Sequence, residues 1–103
     1  MAIVAVSLSP VGRGISVGED VARAIAVLEK QDRVRWELGA MFTTLEGELS
    51  EIFDLILEMR EAVFAAGALR VGAVIKVDER RDRSASGKQK LDSVQAHLNK
   101  RSG

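Results

Sequence analysis

The order in which strand-like and helix-like apolar patterns follow one another constrains the fold of this chain most. Apolar runs or alternation indicate strands, and apolar residues at 3- and 4-residue spacing indicate amphipathic helices. The patterns predict strands over residues 2–8, 34–41, 42–46 and 70–78, and helices over residues 16–31, 49–66 and 87–100. The order β-α-β-β-α-β is that of a ferredoxin-like antiparallel sheet with two helices on one face. We therefore predict an α+β, ferredoxin-like fold with an extra C-terminal helix, as a single domain over residues 1–103.

Local signals mark the boundaries of these elements. Ser16 and Glu19 have the spacing of a capping box, which would open the first helix. Gly67 is a typical stop for the second helix. The turn between the second and third strands is placed at residues 39–42, although no Asn-Gly or Asp-Gly pair marks it.

The long second helix carries more apolar residues than one stripe holds. Leu55, Leu57 and Phe64 fall outside the predicted stripe and indicate a second buried contact. The predicted core stripe consists of Leu49, Ile52, Phe53, Ile56, Met59 and Val63.

The first strand has apolar or small residues on both of its faces. Two helices cover only one face of a ferredoxin-like sheet, so the second face needs another partner. We predict a homo-oligomer, a dimer or a tetramer, that packs or joins its sheets.

Charge and cysteine usage exclude several classes of protein. The chain has 15 basic and 15 acidic residues, so it lacks the basic excess of a general nucleic-acid-binding surface. It has no cysteine, which excludes disulfides, thiolate metal sites and cysteine nucleophiles. The apolar N-terminal run is too short for a signal peptide or a membrane span. We expect a cytoplasmic protein that binds neither nucleic acid nor membrane.

Few residues are suited to catalysis. His97 is the one histidine and lies on the predicted terminal helix, where a surface or interface role is expected. A nucleophile–base pair or a histidine metal cluster is hard to assemble from this composition. Gly12 and Gly14 follow a strand as a phosphate-binding turn would, but ordinary turn chemistry accounts for them. We predict no enzyme activity, no catalytic residue and no metal ligand.

Residues 35–47 combine an aromatic ring, hydroxyls and a carboxylate. Trp36 is either a core residue or a flat face for a ring or a cation. Glu46 either favours the start of the long helix through its charge or serves as a ligand carboxylate. Thr43 and Thr44 are either plain strand residues or hydroxyls that recognise a small heterocycle. The residues alone leave these alternatives open.

The mixed charges of residues 78–83 are typical of a solvated segment in which the chain leaves a strand. Their signs alternate closely enough for ion pairs within or between subunits. Arg80 and Arg81 are placed to make forked pairs with carboxylates.

Three patches, in this order, resemble the small prokaryotic thiamine-binding family related to the YkoF proteins. A strand-end Pro-x-Gly loop and a Ser-capped helix lie within residues 9–22. Residues 40–47 are similar to the family's Pro/Gly-Met-Gly-Thr-x-x-Glu-Gly segment. Residues 70–82 and 90–94 are similar to its Lys-Ile-Asp-Asp-Arg-Arg-Asp run and the helix that follows.

The resemblance implies a non-catalytic, oligomeric protein that binds thiamine or its hydroxymethylpyrimidine moiety, with no other cofactor. Thr43 and Glu46 would be polar pocket residues and Met41 a pocket wall. Trp36 stands where the family usually has a tyrosine. The complete set of ligand-binding residues that it implies is Ser7, Ser9, Trp36, Met41, Thr43 and Glu46.

Two residues depart from the family pattern beside these positions. Phe42 replaces a glycine, and Ala40 replaces a proline or glycine. A phenylalanine there would narrow, line or close the pocket. The alternative function is therefore a ligand-free oligomeric module, structural or regulatory, of the same fold.

Overall fold

The computed structural model describes residues 1–12, 18–82 and 87–102. Its elements are β1 (Ala2–Pro10), α1 (Gly18–Glu29), β2 (Arg35–Leu38), β3 (Thr43–Gly47), α2 (Leu49–Ala65), β4 (Val71–Glu79) and α3 (Gly87–Ser102). The four strands form one antiparallel sheet in the order β2-β3-β1-β4. The predicted α+β, ferredoxin-like fold with a C-terminal helix is confirmed. The predicted capping serine, Ser16, lies outside the described residues.

The two faces of the sheet differ in what covers them. Even-numbered residues of β1 point towards α1 and α2, where Val4 pairs with Leu45 on one side and with Val77 on the other. Val4 and Leu45 have no exposed surface. We call this side the covered face and the opposite side the open face. The open face carries Ile3, Ala5, Ser7 and Ser9 of β1, Arg35 and Glu37 of β2, Thr44 and Glu46 of β3, and Gly72, Val74, Lys76 and Asp78 of β4.

The core stripe of α2 differs from the prediction at two positions. Leu55, predicted outside the stripe, is only 4% exposed, whereas Phe53, predicted inside it, is 38% exposed. Successive helical residues are rotated by about 100°, so Leu55 falls about 60° from Ile52 and about 40° from Met59, whereas Phe53 falls about 100° from Ile52. The buried residues of α2 are Ile52, Leu55, Ile56, Met59 and Val63.

A second apolar stripe runs along the outer side of α2. Phe53, Leu57 and Phe64 lie within about 40° of one another around the helix axis, and they are 38%, 50% and 37% exposed. The second contact predicted for this helix therefore does not lie within the described part of the subunit.

Strand β2 is shorter than predicted because the chain turns back early. Pairing with β3 ends at Leu38 and Thr43, and residues 39–42 make the connection. A Cβ atom at Gly39 would lie 2.5 Å from the carbonyl oxygen of Phe42, a distance that excludes any larger residue. The turn predicted at residues 39–42 is confirmed, and its signal is a single glycine rather than an Asn-Gly pair.

Side-chain and backbone features secure the connections between elements. The Gln31 amide nitrogen donates to the carbonyl oxygens of Leu28 (3.1 Å) and Val34 (3.0 Å). Its amide oxygen accepts the Val34 N–H at 2.8 Å. These bonds hold Val34, only 2% exposed, in the core. Gly67 has a φ of 112°, so the predicted glycine stop after α2 is confirmed.

The C-terminal part of the fold is exposed. Edge strand β4 leaves Val74, Ile75 and Val77 at least 40% exposed on its two faces. Every residue from 88 to 100 of α3 is exposed. No helix in the described parts of the chain is long and apolar enough to span a membrane.

The corrected core of α2 leads to a matched pair of mutations. Leu55→Ala should lower the free energy of unfolding by about 2–5 kcal/mol, because it leaves a cavity in the core. Leu57→Ala, two residues away on the outer side, should change it by less than about 1 kcal/mol. Urea unfolding followed by circular dichroism measures both values. Equal losses for the two variants would contradict the assignment of the buried side.

Candidate functional site

Four of the predicted ligand-binding residues meet at one end of the sheet. Ser7, Ser9, Met41 and Thr43 line a cleft with a volume of about 230 Å³. It lies between the end of β1, the 39–42 turn and the first half of α1. We call it the sheet-end cleft.

The cleft exists because β1 is longer than its partner β3. Pairing between β1 and β3 stops at Val6 and Thr43. On its other side β1 remains paired with β4 as far as Pro10 and Val71. The last residues of β1 therefore have one unpaired edge, and the turn and α1 close around it.

The register shows which backbone groups point into the cleft. The Val11 N–H donates to the Arg70 carbonyl oxygen at 2.8 Å, and the Arg80 N–H donates to that of Met1 at 3.0 Å. Met1 and Val11, the odd-numbered residues that flank β1, thus form backbone hydrogen bonds on the β4 side. Because bonding alternates along an antiparallel strand, the even-numbered residues of β1 direct their N–H and C=O groups towards β3. Within the described chain no residue of β3 lies opposite Leu8. Leu8 therefore presents one backbone donor and one acceptor at the edge of the cleft.

Side chains of differing character surround this backbone edge. Thr43 lies on the covered face and is only 7% exposed, while Met41 is 80% exposed at the turn. Phe42 is 37% exposed and lines the cleft without closing it. The hydroxyl of Thr43 can both donate and accept.

Asp20, a buried acid of α1 next to the cleft, was not among the residues predicted from the sequence. Asp20 is 7% exposed, and its neighbour Val21 lines the cleft. The available signal is its spacing: Asp20 precedes Ala24 by four residues and so lies on the apolar side of the helix.

Glu46 lies at the other end of β3, on the open face. Its Oε1 accepts the backbone N–H of Gly87 at 2.6 Å, and its Oε2 is 3.9 Å from Arg35 Nη2. The Glu46 side chain is 16% exposed and that of Arg35 is 82% exposed. Two helices begin near Glu46: α2 follows it in sequence, and α3 begins next to it in space. The carboxylate contacts the start of α3.

The structure separates Glu46 and Trp36 from the other four residues. Thr43 and Glu46 are three residues apart, about 10 Å along the strand, and they lie on opposite faces of the sheet. Trp36 lies on the covered face and packs against the core. Glu46 and Trp36 both line a small depression of about 90 Å³ at the open face, together with Arg35, Glu37 and Thr44.

Ion pairs follow the exit of β4. Arg80 Nε and Nη2 donate to the two carboxylate oxygens of Asp82 at 3.0 and 2.7 Å, so the predicted forked pair is confirmed for Arg80. This hydrogen-bonded carboxylate raises the pKa of Arg80. Lys90 of α3 donates to Asp78 of β4, and that contact lowers the pKa of Asp78 from its ordinary value of 3.8.

Groups suited to catalysis or metal binding are sparse. The ring Nδ1 of exposed His97 lies 2.7 Å from the carbonyl oxygen of Ser93 in its own helix. Among the described residues, no group of three acidic, histidine or cysteine side chains could hold a metal ion.

A larger groove of about 560 Å³ lies between α1 and α2. Val27, Leu55 and Leu57 contribute its apolar surface, and its rim is charged. None of the residues that line this groove was predicted to bind ligand.

Comparisons with known proteins point to one family. A family model described as thiamine-binding protein matches residues 4–95. UPF0045 protein YqgV of Bacillus subtilis is 37% identical over 102 residues, which cover 95% of this chain and 98% of that protein. A UPF0045 protein of Mycobacterium bovis is 40% identical over 97 residues, covering 93% of each chain.

Solved structures show the same fold. The crystal structure of a hypothetical protein from Methanocaldococcus jannaschii matches with a TM-score of 0.82 and 36% identity, covering 91% of this chain and 95% of that one. A Thermotoga maritima protein provisionally assigned to thiamine biosynthesis or salvage matches with a TM-score of 0.76 and 22% identity, covering 90% and 97%. At that identity the second match supports the fold alone.

The contact between α3 and the sheet predicts a pH dependence. Because the pKa of Asp78 is lowered in the folded state, its contact with Lys90 stabilises the fold at pH values above 3.8. That contribution is lost as the pH falls through the lower, folded-state pKa. An NMR titration of the carboxyl carbon should show a midpoint below 3.8.

Lys90→Gln should return the midpoint of Asp78 towards its ordinary value. Lys88→Gln, on the same helix, is the control and should leave it unchanged. An unchanged midpoint in Lys90→Gln would refute the contact as the cause of the shift.

Proposed function

The chain belongs to the thiamine-binding protein family, and on that premise we propose that it binds thiamine or its hydroxymethylpyrimidine moiety in the sheet-end cleft without catalysing a reaction. The observation that carries this proposal is the unpaired backbone edge at Leu8, beside the Thr43 hydroxyl. The proposed ligand-binding side chains are those of Met41 and Thr43, and Ser7 and Ser9 form the rim of the cleft on the open-face side.

The cleft suits one heteroaromatic ring. An aminopyrimidine presents an amino donor next to a ring-nitrogen acceptor. The Leu8 C=O and N–H offer the complementary acceptor and donor, as an additional strand would require. The cleft volume of about 230 Å³ lies below the range of about 300–1,000 Å³ for drug-sized ligands. We expect the pyrimidine to enter and the thiazolium to remain near the mouth.

Phe42 has a role in this proposal. Its ring is 37% exposed in the cleft lining, where it can face the cationic thiazolium. The departure from the family's glycine then changes how the cation is held and leaves the cleft open.

Glu46 and Trp36 have supporting roles in the same proposal. Glu46 already accepts the Gly87 N–H, so it positions α3. Trp36 packs against the core and fixes the β2–β3 hairpin from which Thr43 projects.

Self-association is part of the proposed function. Edge strand β4 pairs on one side with β1 and carries exposed apolar residues such as Val74 and Ile75. Exposed apolar edges of this kind pair readily with a second chain. We propose a cytoplasmic dimer or tetramer joined through its sheets.

One observation favours the second candidate function, a ligand-free module. Phe42 contributes its bulk to the wall of a cleft that is already small. If its ring turned inwards, the cleft would close and only self-association would remain.

Two adjacent threonines provide the test of the site. Thr43 lies in the cleft and Thr44 on the open face. Thr43→Val keeps the shape and removes the hydroxyl, so it should weaken binding of hydroxymethylpyrimidine and thiamine about 5- to 10-fold, the effect of one lost hydrogen bond. Thr44→Val should leave affinity unchanged. Titration calorimetry measures both constants, and urea unfolding checks that both variants fold.

The outcomes distinguish the two possible positions of the site and the two candidate functions. Weaker binding in Thr44→Val alone would move the site to the open face. No binding by the wild type at millimolar ligand would refute the ligand proposal. Phe42→Gly then asks whether the phenylalanine closed the cleft: binding gained in that variant supports the ligand-free module.

A further inference from the structure

Helix α3 carries an apolar stripe that its own subunit does not cover. Leu91, Val94 and Leu98 are 72%, 54% and 48% exposed. An isolated helix of this length is marginally stable in water, so its stability depends on packing of its apolar face. The helix therefore needs a surface that its described subunit does not supply.

The stripe faces the side on which α3 is attached to the sheet. The attachment point is Gly87, whose N–H is bound by Glu46 on the open face. A Cβ atom at Gly87 would lie 2.9 Å from Glu46 Oε1, so this side of the helix faces the carboxylate. At about 100° per residue, Gly87, Leu91, Val94 and Leu98 fall within about 60° of one another around the helix axis. The apolar side of α3 is thus turned towards the open-face side of the sheet, yet it remains exposed.

The open face supplies a matching surface of small and apolar residues. Ala5, Ser7 and Gly72 form a low strip along β1 and β4, with Val74 beside it at 58% exposure. Small side chains allow a helix to approach a sheet closely. One chain therefore carries both an uncovered apolar helix and an uncovered face on which a helix can lie.

We infer that α3 is an assembly arm: its stripe packs on the open face of a second copy of this chain, and the partner's α3 packs reciprocally on this one. The inference rests on the self-association within the proposed function and identifies the surfaces that carry it. A two-fold pair covers both surfaces of both chains at once, because each chain supplies one arm and one open face.

Size and charge agree with a second copy as the occupant. The 16-residue helix is about 24 Å long. Two such helices laid on two sheets bury on the order of 1,000 Å², the lower bound for a specific interface. The arm carries four basic residues against one acid, and the open face three acids against two bases. Within one chain, Lys90 of the arm already pairs with Asp78 of its own open face.

Two matched pairs of mutations test the arm and the open face on which it is proposed to pack. Val94→Asp places a charge on the stripe, and Ala96→Asp places it on the opposite side of the same helix. Val74→Asp charges the open face, and Ala73→Asp charges the other face of the same strand. Light scattering and sedimentation over a range of concentrations measure self-association of the full chain.

The wild type should be a dimer or a larger assembly. Val94→Asp and Val74→Asp should each weaken its association at least 10-fold, and the two control variants should change it less than 3-fold. Hydrogen exchange of α3 amides should slow as wild-type concentration rises, since association covers the helix.

Other outcomes overturn the inference in distinguishable ways. An oligomer unaffected by Val94→Asp refutes the arm and leaves the ligand proposal intact. Dissociation by Leu57→Asp alone places the interface on the outer stripe of α2. Loss of stability in Val94→Asp without a change in mass means that α3 packs on its own sheet. A monomeric wild type refutes self-association itself, and thiamine calorimetry judges the ligand proposal separately.

Discussion

Hydrogen bonding along β1 is the constraint on which the rest of the structure depends. β1 pairs with β4 over nine residues and with β3 over five. The paired part buries Val4 and Val6 against the helices and forms the core. The unpaired remainder leaves backbone groups without a strand beside them, where the 39–42 turn and α1 enclose the sheet-end cleft. The paired part of β1 therefore determines the core, and the part that extends beyond β3 determines the cleft.

Periodicity was sufficient to predict the elements, their order and the fold, because burial repeats regularly in helices and strands. It was insufficient where two apolar stripes share one helix. Phe53 and Leu55 of α2 are both apolar, and only packing against the sheet decides which of them is buried. The end of β2 was also misplaced, since the steric demand on Gly39 comes from the carbonyl oxygen of Phe42, three residues away.

The candidate site was predictable in part. The sequence predicted Ser7, Ser9, Met41 and Thr43 as ligand-binding residues, and the structure brings these four to one cleft. It could not separate Thr43 from Glu46, because family resemblance gives the residues of a motif but not the face to which each one points. The backbone of Leu8, which no described residue of β3 pairs, had no sequence signal, since its position depends on where β3 begins. Asp20 did have a signal, an acid at apolar spacing in α1.

The attachment of α3 has a mechanical consequence. A Cβ atom at Gly87 would lie 2.9 Å from Glu46 Oε1, so the absence of a side chain lets the carboxylate reach the backbone. The helix is thereby pinned near one end, like a lever on a pivot. A tilt of about 10° at the pivot would displace the far end of the roughly 24 Å helix by about 4 Å. Small adjustments around one carboxylate thus set where the outer end of α3 lies.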